Sequence, residues 1–333
     1  MHFLRNNVFL LIFAALLVLS FFADAYTQYL INLMLTYIVI AQGLNLILGF
    51  AGMFAFAHGA FMGIGAYTSA LLVTKLNVPF LIAMPTAGIA AALVGCAIGI
   101  PAIRVSGLYL AMVTVGFSEI LQWVLKHWKS LTGGPDGVIV PAPVFFGIEF
   151  RSDFHTFAII LVVTILMTLL AQGIIRSRLG RAFVAIRDSE IAAQCNGVNV
   201  ARTKVFAFTI SAFYAGIGGS LFSLTQHYIN PENFNLYQTI LQFCMVIVGG
   251  AASLVGLFIG AAILTWLPEL LRNAQALQEI GYGLLLIVFV IFLPRGLAGF
   301  LIDKGILPRE QYSPARFGWF SARRRAPEKA TRS

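Results

Sequence analysis

Charge is scarce in this chain, and so are the residue groupings that catalysis and metal binding need. Only 11% of its 333 residues are charged, with 13 acidic against 22 basic, where soluble domains carry about 25%. The three cysteines, Cys96, Cys195 and Cys244, are an odd number, and two lie inside apolar runs. They provide neither a disulfide framework nor metal-ligand spacing, so no metal site is expected. No Gly-Lys dipeptide occurs, which removes the G-x-x-x-x-G-K-[ST] nucleotide loop; H-E-x-x-H, paired-cysteine and G-x-S-x-G arrangements are missing too. Nothing here points to an enzyme, to a bound cofactor, or to ATP held by this route. The short alternating segments of an outer-membrane barrel are also lacking.

What the chain has is apolar length. It is 59% hydrophobic with a mean hydropathy of +0.88. Runs of roughly 17–25 apolar residues must form helices in lipid, where every backbone group needs an internal partner. About ten such runs can be drawn, near 8–23, 29–49, 50–73, 80–100, 105–125, 156–175, 204–225, 236–252, 254–271 and 277–293. The expected fold is an all-α polytopic membrane protein, with a transmembrane domain over 1–300 and a basic, poorly ordered tail over 301–333. Charge tests the count. With both termini in the cytoplasm, 17 basic residues fall inside, and Lys75, Lys126, Lys129, Arg151 and Arg272 fall outside. The net charge of +9 is mostly the tail after Pro294, with nine basic residues against three acidic. Anionic lipid is its natural neighbour, and nucleic acid is not implied. Arg5, an apolar run and Ala23-Asp24-Ala25 imitate a cleavable signal peptide, though an uncleaved anchor serves as well.

Two polar loops stand out. The external one, 126–155, holds the turn sequence Leu131–Gly137 (LTGGPDG). The other, 176–204, carries six basic residues against Asp188 and Glu190 and belongs inside. It spells a short helix: Asp188 as N-cap, Glu190 in the first turn, Ala192 and Ala193 as helix formers, Gly197 as the left-handed stop. Such a helix at a membrane surface suits docking on another protein.

Glycine marks the spans. Gly43–Tyr67 and Gly249–Ala262 place small residues four apart, as at Gly59/Gly63 and Gly256/Gly260. One reading is close helix packing; the other is broken helices lining a translocation path, with Gly49, Ala51 and Gly52 at the break. His58 is an ionisable group inside a span, and is either a hydrogen-bonded packing residue or part of that path. Glu119 is expected near the external end of its span, since a carboxylate at mid-membrane costs about 2.5–3.5 kcal/mol. Neither has the neighbours of a proton relay, which weakens an ion-coupled secondary transporter.

The segment Gly180–Arg202, GRAFVAIRDSEIAAQCNGVNVAR, resembles the cytoplasmic loop of branched-chain amino acid ABC transporter permeases of LivM type. The likeness extends to Gly43–Tyr67, Arg104–Leu121, LTGGPDG and Phe206–Leu221, covering about residues 30–300. It implies a type II-like importer permease in the bacterial inner membrane, working with two cytoplasmic ATP-binding subunits, a second homologous permease and a periplasmic substrate-binding protein. Leucine, isoleucine or valine would be the cargo; urea, short amides and aromatic acids are carried by related permeases. The resemblance places the ATPase-coupling residues at Arg187, Asp188, Ser189, Glu190, Ala192, Ala193 and Gly197. The residues proposed for the path are Gly49, Gly52, His58, Gly59 and Gly63. The broader importer pattern E-A-A-x-x-x-G is kept at Ala192, Ala193 and Gly197, but position 191 is Ile and the acid, Glu190, comes one place early.

Overall fold

A computed structural model describes residues 8–270 and 296–304, apart from 106, 142–143, 146–147 and 150–152. The expected span 277–293 and the tail from 305 lie outside these residues. The described chain is helical almost throughout. In order it forms α1 (Val8–Phe21), α2 (Ala25–Asn45), α3 (His58–Leu76), α4 (Phe80–Ala102), α5 (Leu108–His127), α6 (Asp153–Arg176), α7 (Arg178–Asp188), α8 (Glu190–Cys195), α9 (Val200–Gln226), α10 (Leu236–Gly249), α11 (Leu254–Leu270) and α12 (Gly296–Asp303). Nine of the ten apolar runs thus become helices among the described residues. Six are long and apolar enough to cross a membrane: α2, α3, α4, α5, α6 and α9. The apolar helices α1, α10 and α11 have 14, 14 and 17 residues.

α2 and α9 form the core. α2 is buried along nearly all of its length from Leu30 onward, and α9 packs between α2, α3 and α4. Small residues allow this closeness: a Cβ on Gly65 of α3 would run into Gly216 of α9, and one on Gly219 into the Met62 carbonyl. Buried polar groups then fix the register of the helices. Gln42 Nε2 donates to Thr168 Oγ1 at 2.7 Å, and Tyr214 Oη to the Met167 carbonyl at 2.9 Å, tying α2 and α9 to α6. Outward faces of α4 and α6 are apolar, with Leu81, Ile89 and Leu93 on one and Val162, Leu166 and Leu169 on the other.

The bundle has two polar ends. At one, Lys126 pairs with Glu232 at 2.7 Å and Lys75 donates to the Ser130 carbonyl at 3.0 Å. There too a two-residue ladder pairs Val138 with Ile229 and Ile139 with Tyr228. Gly133, Gly134 and Gly137 of LTGGPDG all have positive φ, as its turn chemistry requires. At the other end lie Gly49, Gly52, Gly107 and the loop with Arg187, Glu190 and Lys204. The lysines assigned outside and the basic loop assigned inside therefore occupy opposite ends.

The run expected over 50–73 is not one helix. α2 loosens into a π-turn at Leu46–Phe50, residues 51–57 are non-helical, and α3 starts only at His58. Gly52, at φ +69°, turns the chain back. His58 then bonds the carbonyl of Ile40, ten residues before Phe50 and so about 15 Å deeper along α2.

Candidate functional site

The non-helical segment 51–57 exposes backbone groups within the bundle, and each must find a partner. Ala51 N–H donates to the Leu46 carbonyl at 3.1 Å and Met53 N–H to that of Ile47 at 3.0 Å. Deeper in, α5 supplies side chains. Thr114 Oγ1 accepts from Phe56 N–H at 2.8 Å, and Ser118 Oγ donates to the Phe56 carbonyl at 2.8 Å. The Phe56 ring stacks on Phe243 of α10, centroids 4.6 Å apart. This is the broken helix that the glycines allow, held by a threonine and a serine one turn apart.

A second break faces the first. Gly250 has φ +110° and Ala252 φ +64°, separating α10 from α11. Asn45, fully buried, joins the two breaks: its Oδ1 accepts from Ala252 N–H at 2.8 Å and its Nδ2 donates to the Ser253 carbonyl at 3.2 Å. Gly49 is forced to be glycine here, because a Cβ would strike Asn45 Oδ1 and the Ala252 nitrogen.

The polar loop sits on this junction. It holds two helices, where sequence signals marked one. α7 is capped at its start by Ser177, whose Oγ accepts from Leu179 N–H at 3.1 Å. α8 is capped by Ser189 and not by Asp188: Ser189 Oγ accepts from Ala192 N–H at 3.3 Å, while Asp188 ends α7. The shift is physical, since Ser189 has the extended backbone of an N-cap, φ −167° and ψ 117°. Asp188 instead lies 3.3 Å from Arg187 Nε. Gly197 has φ +80°, with its N–H donating to the Gln194 carbonyl at 3.0 Å, so the expected stop is present. Ala193 is buried against its own chain, leaving Ile191, Ala192, Gln194 and Cys195 as the outward side chains of α8.

Arg187 connects the loop to the break. Its Nη1 donates to the Gly49 carbonyl at 3.1 Å, and its stem crosses Gly52, where a Cβ would come within 2.6 Å of Arg187 Cγ. A second tie runs to α9: Lys204 Nζ, on a side chain 3% exposed, meets Glu190 Oε1 at 2.8 Å. Between the ties is a cavity of about 220 Å³ lined by Gly52, Met53, Leu110, Arg187, Glu190 and Lys204 among others. The structure thus brings Gly49, Gly52, Arg187, Ser189 and Glu190 into one place. It puts His58, Gly59 and Gly63 elsewhere, inside the bundle. His58 Nε2–H donates to the Ile40 carbonyl at 2.8 Å, and Nδ1 lies 3.2 Å from Ser211 Oγ. Gly59 packs on Thr239 and Gly63 on Phe234.

Sequence reasoning missed Asn45, Lys204, Thr114 and Ser118. A signal existed for Asn45, an amide in an apolar run four residues ahead of Gly49, but Asn32 and Gln42 in the same run carried it equally. For Thr114 and Ser118 none did, because their partner is the backbone of a break 58 and 62 residues away. Among the described residues no group of three or more His, Cys, Asp or Glu could hold a metal ion.

Comparison with known proteins gives a consistent result. The family model described as branched-chain amino acid transport system / permease component matches residues 26–293. The high-affinity branched-chain amino acid transport system permease protein LivM of Escherichia coli (strain K12) is 33% identical over 315 residues, covering 86% of this chain and 74% of that protein. LivH of the same organism, a permease protein of a system so named, is 29% identical over 291 residues, 79% of this chain and 91% of its own. The autoinducer 2 import system permease protein LsrC of Klebsiella pneumoniae is 28% identical over 179 residues, 51% of this chain and 48% of its own. No solved structure matches.

Proposed function

We propose a transport mechanism from one premise: this chain belongs to the family of branched-chain amino acid transport permease components, and it is a multi-pass membrane protein, lodged in a bacterium in the inner membrane. On our reading it is one of two homologous permease subunits of an ATP-driven importer. Two cytoplasmic ATP-binding subunits drive it and a periplasmic binding protein delivers leucine, isoleucine or valine. About ten spans with both termini inside fit the charge asymmetry, with α7 and α8 in the cytoplasm.

The observation that carries this reading is the hydrogen bond from Arg187 to the Gly49 carbonyl. A loop that served only as a connector would have no need to seat its arginine on a helix break. Here the loop that would ride on an ATPase is fastened to the point where α2 turns back, and through Asn45 to the break between α10 and α11. The movement of α8 would pull on both broken helices together. Nothing in this route requires a bound nucleotide or an ionisable relay in the chain itself, which favours an external ATPase over ion coupling.

Reconstitution with the partner subunits and the binding protein tests the reading. ATP-dependent uptake of leucine, isoleucine or valine is expected. Uptake of urea or an amide, with none of the three amino acids competing, overturns the substrate assignment. Uptake by this chain alone, driven by an ion gradient, overturns the class.

A further inference from the structure

α5 spans from Leu108, beside the loop of Arg187, to His127, beside the Lys126–Glu232 pair. Glu119 was expected near its external end. The helix as formed puts it about 16 Å from one terminus and about 12 Å from the other, close to mid-depth. Its side chain points outward and is exposed, and among the described residues no hydrogen bond or ion pair reaches its carboxylate. The outward residues of α4 and α6 are apolar through the same depth, with Leu93 and Leu166 as examples, whereas α5 sets this carboxylate among the exposed Val113, Ile120 and Trp123. Those faces suit lipid. A carboxylate at that depth does not, and intramembrane acids face a protein interior or a water-filled cavity. Beside Glu119 lie Met112, Gly116 and Trp123. Gly116 is open enough that an added Cβ would meet nothing within 4 Å. The opposite side of the same helix, through Thr114 and Ser118, holds the backbone of segment 51–57. One helix therefore has the break on one side and the unpartnered carboxylate on the other.

We propose that the outward face of α5 around Glu119 is a wall of the water-filled passage between this chain and the second permease subunit, with the Glu119 carboxylate a contact for the ammonium group of the amino acid passing through. This rests on the transport reading above and goes beyond it by naming the face and the residue. An aliphatic amino acid crosses as a zwitterion, and its ammonium group loses hydration in a narrow passage unless an anionic acceptor replaces it. Met112 and Trp123 supply apolar surface beside that acceptor. Because α5 also grips segment 51–57, a shift of the break moves this wall.

The test uses the assembled complex with Cys96, Cys195 and Cys244 replaced by serine, and single cysteines placed at Gly116, Glu119 and Leu93. A water-soluble, membrane-impermeant thiol reagent is expected to label positions 116 and 119 and leave 93 unlabelled. Glu119→Gln is expected to lower leucine uptake by roughly tenfold or more, the scale of one hydrogen bond to a charged group, with Glu119→Asp recovering part of it. Absence of labelling at 119, or labelling at 93 as strong as at 119, overturns the proposal. So does wild-type uptake by Glu119→Gln. The labelling is read whatever solute the complex carries, so a wrong substrate assignment shows in wild-type uptake while the labelling still decides which face meets water.

Discussion

At the Lys126 end of the bundle the ion pair joins exposed groups. Lys126 and Glu232 have side chains 36% and 64% exposed, and the adjoining ladder is two residues long. At the Arg187 end each tie has a buried partner, and those of Arg187 and Asn45 end on backbone. Arg187, 7% exposed, reaches the Gly49 carbonyl; Asn45, fully buried, holds Ala252 and Ser253; Lys204 is 3% exposed. Water competes fully with the first set, in part with the Lys204–Glu190 pair and hardly at all with the Arg187 and Asn45 ties, so those buried ties can carry force between elements without dissolving. On the proposed transport reading, the first set closes loops and the second joins parts that move. Substitutions of similar size should therefore have very unequal consequences at the two ends.

The largest expected effect is at Gly197. Proline removes the N–H that bonds the Gln194 carbonyl and cannot adopt φ +80°. Gly197→Pro should insert normally, since the loop lies outside the apolar runs, yet abolish uptake and the stimulation of ATPase activity by loaded binding protein. Normal stimulation would mean that α8 transmits nothing, and the contrast between the ends would collapse.

Arg187→Ala comes next. It leaves the Gly49 carbonyl without its charged donor, a loss on the order of 1.5–3 kcal/mol and hence about a tenfold or greater fall in uptake. Gly52→Ala should act through the same contact by pushing the arginine stem aside, on top of the strain at φ +69°. The double variant should then cost less than the two singles added together, because the clash disappears with the side chain. Strict additivity in uptake would show that the two residues act separately.

How much of this was open to sequence reading depends on the range of the interaction. The apolar runs, the glycine break at Gly49–Gly52 and the stop at Gly197 are local chemistry and were legible. The cap was misplaced by one residue, because Asp188 and Ser189 are both good N-caps and only the backbone shows which one leaves the helix. His58 was open to two readings, and the partners it meets inside the bundle, the Ile40 carbonyl and Ser211, were not legible in either. The meeting of the two breaks through Asn45 was not legible, since it joins residues 207 and 208 positions apart. Glu119 keeps the spacing read from the sequence, seven residues before Lys126 and eight before the helix end at His127; what the sequence did not show is that its side chain faces out of the bundle.

Smaller effects are expected at the supporting ties. Asn45→Ala removes two buried hydrogen bonds and should destabilise the fold by about 1–3 kcal/mol, given the modest worth of such bonds in membranes. Thermal unfolding in detergent reads this, and an unchanged midpoint would show that the breaks do not depend on each other. Glu190→Gln leaves the Lys204 ammonium buried opposite a neutral amide. Because Glu190 is 43% exposed, water can relieve part of the loss, so about 1–2 kcal/mol is expected. Lys204→Met in the same background should restore stability, since it removes the stranded charge.

The smallest effect is expected at the other end, with Lys126→Ala. The Lys126–Glu232 pair is short, at 2.7 Å, but both partners meet water. Exposed pairs are worth about 0–1 kcal/mol and weaken further with salt. Other ties would keep the two loops together: the pairing of Val138 with Ile229 and Ile139 with Tyr228, and the Tyr228 hydroxyl donating to the Asp136 carbonyl at 3.0 Å. Uptake in Lys126→Ala should therefore stay within about twofold of wild type. Whatever difference remains should fade as ionic strength rises, since screening removes the same attraction in the wild type. A tenfold loss that persists in high salt would count against the comparison. It would place a force-bearing tie at the end of the bundle that exposed chemistry marks as passive, and the binding protein's docking surface would be the first place to look for its partner.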